Sequence, residues 1–108
     1  MLFRSGNAAT AANDNNTIQG NTIKSAQNGV YISGLATTFD RNWNISQNVI
    51  GSTVALEKMG FRGIGILSCG DFTINGNTIS GVLSSTGSSA TMTGISVFNG
   101  IQNGNLLF

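Results

Sequence analysis

An eight-residue unit recurs along this chain, and that recurrence constrains its fold more than any other feature. NTIQGNTI (16–23) returns as WNISQNVI (43–50) and as FTINGNTI (72–79). A degraded fourth copy, IQNGNLLF (101–108), is aligned with Asn105 in the role of Asn21, Asn48 and Asn77. The period is about 28 residues, within the range of solenoids and repeat arrays. Ile18, Ile45 and Ile74 stand three before the Asn, a column that Gln102 breaks. Ile23, Ile50, Ile79 and Leu107 stand two after it. A second unit follows each complete copy: GVYI from Gly29, GIGI from Gly63 and GISV from Gly94. Its alternation is that of a strand.

Neither the amphipathic period of helical repeats nor a leucine ladder is present. Asn, Gly, Ser and Thr make up nearly half the chain, and there is no Pro. These residues disfavour helix interiors and suit short strands joined by tight turns. Strands are expected at 16–19, 21–24, 29–33, 43–46, 48–51, 63–67, 72–75, 77–80, 94–98 and 105–108. If successive turns of the chain stack at the strand-pairing distance of about 4.8 Å, equivalent residues become neighbours. The Ile residues then form inner columns. Asn tolerates a left-handed bend and bonds to nearby peptide groups and to its stacked equivalents. Gly20 and Gly76 precede the Asn and ease the bend. Gln47 takes that place in the middle copy, so a differently shaped turn is expected there.

The NxIx(G/N)NxI rhythm followed by GIxI resembles the right-handed parallel β-helix of the pectin-lyase-like superfamily, over roughly residues 13–108. The resemblance implies an all-β fold, a short right-handed parallel β-helix (β-solenoid) of about three to four coils. It also implies an asparagine ladder at Asn21, Asn48, Asn77 and Asn105. The chain reads as one β-helix segment over 1–108, an interior fragment of a longer protein, with 1–12 a remnant of a preceding coil. Open ends would then meet the remainder of the parent β-helix or promote self-association.

What the resemblance implies about function is a structural or interaction segment of an exported or cell-surface bacterial protein that contacts polysaccharide. The alternative is a fragment of a polysaccharide lyase or glycoside hydrolase, since family enzymes use carboxylates, often with calcium, plus a basic residue. Asp40, Arg41, Asp71 and Arg62 are the catalytic candidates; the variable loops at 33–42, 51–62 and 80–93 are where function is to be sought, and Glu57 and Lys58 add charges there. Asp14, Asp40 and Asp71 precede the repeat Asn by seven, eight and six residues. If they formed a row, calcium is the cofactor such oxygens would take; otherwise each Asp closes a turn. No other cofactor is implied.

Alternation points Tyr31 outward, above Gly65 and Ser96, where it offers a platform for a sugar ring. Trp43 and Phe72 share the face of Ile45 and Ile74 and are expected to be buried. Cys69 is expected in the core, without a His to activate it. Thr17 with Thr73, and Thr22 with Thr78, would suggest an ice-binding array, but Asn44 and Val49 interrupt both columns. The net charge of +1 and the scattered Lys and Arg argue against a nucleic-acid groove. No apolar run is long enough to insert in a membrane as a helix.

Overall fold

The computed structural model describes residues 1–4, 12–83 and 91–107. It is all-β. In chain order the strands are β1 (Leu2–Arg4), β2 (Thr17–Gln19), β3 (Thr22–Ile23), β4 (Asn28–Ser33), β5 (Asp40–Arg41), β6 (Asn44–Ser46), β7 (Val49–Gly51), β8 (Arg62–Leu67), β9 (Cys69–Gly70), β10 (Thr73–Asn75), β11 (Thr78–Ser80), β12 (Thr93–Val97) and β13 (Asn105–Leu107). A 3₁₀ turn spans Ala55–Glu57. Every strand pairing is parallel, in four sheets ordered β1-β4-β8-β12, β13-β10-β6-β2, β11-β7-β3 and β5-β9. The chain visits the sheets in one recurring order, so each sheet gains one strand per round.

The registers follow the repeat. Ile18 pairs with Ile45 and Ile45 with Ile74; Ile23 pairs with Ile50 and Ile50 with Ile79. In the GVYI units, Val30 pairs with Ile64 and Ile64 with Ile95. Alternation sends these side chains inward, and Ile45, Ile50, Val30, Ile32, Ile64 and Ile66 are fully buried. Each such burial contributes roughly 1.5–3 kcal/mol. Trp43 and Phe72 are buried at successive positions of one column. The glycines that open the first two GVYI-type units are packing requirements, whereas a Cβ on Gly94 would meet nothing within 4 Å. A Cβ on Gly63 would lie 2.6 Å from both the Gly94 carbonyl oxygen and Ile79 Cγ2, and one on Gly29 would lie 2.4 Å from Ile50 Cγ2.

Two local expectations are corrected. Gln47 has φ 55°, beside 68° for Gly20 and 61° for Gly76. The middle turn therefore has the same shape, held by flanking strands that are paired on both sides. In all three turns the left-handed residue is the one before the Asn. The fourth copy is also out of register with the motif alignment. Asn105 pairs with Thr73 rather than Asn77, and Leu106 with Ile74. This register brings Leu106 into the isoleucine column. It also sets Gly104 against the Phe72 ring, where a Cβ would lie 2.2 Å from the ring edge.

The short strands β1, β5 and β9 were not expected from the pattern. β1 pairs with β4 at the edge of the first sheet. Part of the variable loop at 80–93, and Phe108 of the last expected strand, lie outside the described residues.

Candidate functional site

Each round makes its first sharp corner at the repeat Asn. Asn48 Oδ1 accepts from the backbone N–H (3.0 Å) and the side-chain amide (3.1 Å) of Asn21. Asn77 Oδ1 accepts the equivalent bonds from Asn48, at 3.0 and 2.9 Å. The side-chain amides also donate backwards, from Asn48 to the Ile18 carbonyl and from Asn77 to the Ile45 carbonyl. Asn48 is buried, so these bonds satisfy peptide groups that water does not reach. Asn105 has no part in this ladder.

A second corner, six residues upstream, went unnoticed in the sequence. Asn15, Asn42, Asp71 and Asn103 all have left-handed φ, between 49° and 60°. Asn42 donates to Asn15 Oδ1 (3.0 Å), and Asn103 donates to Asp71 Oδ1 (3.1 Å). The signal was available: an Asn or Asp stands six before Asn21, Asn48 and Asn77 alike.

This second corner collects most of the charged candidates. Arg41 forms an ion pair with Asp71 at 2.8 Å and donates to Gln102 at 2.9 Å. The Arg41 backbone N–H donates to Asp14 Oδ1 at 2.7 Å. The guanidinium of Arg41, with help from Asn103, holds the Asp71 carboxyl below the usual carboxylate range, which makes it a weak base. Asp40 points the other way. It is fully buried, accepts the Asn13 N–H at 3.0 Å, and pairs in register with Cys69. Burial pushes the Cys69 thiol up to about 11, so it is protonated at neutral pH; it donates to the Leu67 carbonyl.

The three aspartates do not form a row. Their unequal offsets from the repeat Asn put them in three different columns, and one faces inward. No group of three potential metal ligands exists among the described residues. Arg62 is also separate from the acids. Its guanidinium lies 4.2 Å from the Phe61 ring centre, 4.9 Å from Phe98 and 5.2 Å from Tyr31. Of the catalytic candidates, only Arg41 and Asp71 are brought together, and each neutralises the other.

Tyr31 lies on the outer face of the first sheet, in register with Leu2, Gly65 and, one round on, Ser96. It is half-buried, because its ring leans across Gly65. A Cβ there would lie 2.6 Å from the ring. Phe98 meets Tyr31 edge-on at 6.4 Å and remains 38% exposed. Tyr31, Phe98, Phe61 and Arg62 thus form one aromatic patch with a cation. Elsewhere, a cavity of about 470 Å³ opens between Ser25–Gln27 and the 3₁₀ segment, with Lys58 on its wall. Lys24 and Glu57 pair beside it at 2.8 Å. The threonine columns are interrupted in register by Asn44 and Val49.

No protein-family model matches this chain, and neither a curated protein nor a solved structure shows significant similarity to it. Among the described residues no helix is long and apolar enough to cross a membrane.

Proposed function

We propose that the chain is a segment of a short right-handed parallel β-helix, acting as a structural and interaction module of an exported or cell-surface protein. The observation that carries this reading is the repeated register. Ile columns, glycine column and asparagine ladder all advance by one round per sheet. Right-handedness and the exported setting rest on the resemblance of the repeats. The charged groups support a scaffold rather than a reaction centre, because Asp71 and Arg41 are committed to each other and Cys69 is protonated.

The face available for polysaccharide is the Tyr31 patch. Its rings can stack on the apolar face of a sugar, and Arg62 supplies N–H donors. Retention on a glycan array tests this. The parent chain should be retained on at least one glycan class, and Tyr31→Ala should lose that retention while keeping its far-ultraviolet circular dichroism. No retention of the parent chain would defeat the glycan part of the proposal.

A further inference from the structure

Strand β8 carries two glycines, and different neighbours keep a side chain from each. A Cβ on Gly63 would lie 2.6 Å from the Gly94 carbonyl oxygen, so backbone forbids it. On Gly65 the three nearest atoms all belong to side chains: Tyr31 Cδ2 at 2.6 Å, Arg62 Cδ at 2.9 Å and Tyr31 Cε2 at 3.1 Å. Gly65 is not in the left-handed region either. The backbone therefore asks for no glycine at position 65, and a glycine inside a strand weakens it. We propose that Gly65 is a positioning residue of the Tyr31 patch. Its bare backbone is the floor on which Arg62 lies between Tyr31 and Phe98, and that arrangement is what the glycan meets. This rests on the reading of the patch as the glycan-binding face.

Three rounds build the arrangement. Tyr31, Gly65 and Ser96 pair in one column; Asn28, Arg62 and Thr93 pair in another, three residues back along the same strands. The Arg62 side chain starts in the second column and reaches the first, where its Cδ approaches the space over Gly65. Its guanidinium stands 5.2 Å from the Tyr31 ring centre on one side and 4.9 Å from that of Phe98 on the other. Among the described residues Arg62 makes no ion pair, and its Nε is buried without a hydrogen-bond partner. Its place is set by the rings, Phe61 included, and by the room over Gly65.

A methyl group at position 65 acts on side chains alone. It turns Tyr31 and Arg62 off the sheet by rotamer changes and leaves the β4–β8 and β8–β12 ladders in place. The cation then leaves its seat between the two rings. Binding and stability are thereby separated. Gly65→Ala should bind worse and melt like the parent chain, whereas Gly63→Ala, which strikes backbone, should melt lower.

The test compares the parent chain with Gly65→Ala, Gly63→Ala and Gly94→Ala by glycan retention, thermal melting and nuclear Overhauser spectra. Gly94→Ala is the control, because a Cβ there would meet nothing within 4 Å. Gly65→Ala should lose about tenfold or more in apparent affinity, and Gly94→Ala should keep it. Tyr31 is the only tyrosine, so contacts from its ring to the Arg62 side chain are read without ambiguity. They should be present in the parent chain and in Gly94→Ala, and absent from Gly65→Ala. Contacts that persist in Gly65→Ala overturn the proposal, as does undiminished retention of that variant or a melting temperature as low as that of Gly63→Ala. If the parent chain is retained on no glycan but the contacts vanish in Gly65→Ala, the glycan reading falls and the positioning by Gly65 stands.

Discussion

The two asparagine-bearing corners solve one bend with opposite divisions of labour. At the Asn21–Asn48–Asn77 corner, the left-handed conformation belongs to the preceding residue, Gly20, Gln47 or Gly76. The Asn side chain is left to turn inward and bond peptide groups of adjacent rounds. At the Asn15–Asn42–Asp71–Asn103 corner, the Asn or Asp adopts the left-handed conformation itself. Its side chain then lies at the surface, where it bonds along the stack and, at Asp71, holds Arg41. A short amide can bend the chain or satisfy its buried peptide groups, and these two corners assign those tasks to different residues. The inner ladder should govern stability and the outer one should tune it.

The sharpest way to break this comparison is Asn48→Ala against Asn77→Ala. Asn48→Ala orphans the Ile18 carbonyl and the Asn21 donors inside the stack, and should cost about 3 kcal/mol. Asn77→Ala removes a half-buried residue at the end of the ladder, where the Ile45 carbonyl and the Asn48 donors lose one partner, and should cost about 1–2 kcal/mol. Urea unfolding followed by circular dichroism measures both. Equal losses would mean that burial along the ladder does not set its worth. Gln47→Gly sharpens the division of labour. It removes a non-glycine residue from left-handed φ and should stabilise by about 0.5–1 kcal/mol, even though the exposed bond from Gln19 is lost. A loss in the same unfolding assay would show that Gln47 is held there by its own contacts.

The smallest effect concerns acid. The folded-state pKa of Asp71 is depressed, so the stabilisation from its partners is present above the ordinary carboxylate pKa. It fades as pH falls through the depressed value. Because the pair is exposed, the melting temperature of the parent chain and of Asp71→Asn should converge at low pH and differ only slightly at pH 7. A difference at pH 7 as large as that of Asn48→Ala would put the outer corner on a par with the inner one.

Much of the fold was legible because a stacked repeat writes its neighbours into the sequence. Ile18, Ile45 and Ile74 had to meet once the period was known, and so did Gly29, Gly63 and Gly94. All ten expected strands are present, with boundaries within one residue where they are described. The fourth copy was misread because IQNGN looks like TINGN. Local likeness suggested one register, while the pairing of Leu106 with Ile74 and the fit of Gly104 against Phe72 favour another. The charged candidates were harder to place. Asp40 and Arg41 are adjacent in sequence, yet strand alternation buries one and exposes the other.

By itself the sequence determined the period, the strands, the inward columns and the corner asparagines Asn21, Asn48 and Asn77, because each follows from local patterning repeated at a constant spacing. Only the tertiary structure decided which charges meet, that Tyr31 lies across Gly65 beside Arg62, and that Asn105 pairs with Thr73 rather than Asn77. Those facts depend on loop paths and on the register between rounds, which are set by packing across the stack rather than by any one stretch of chain.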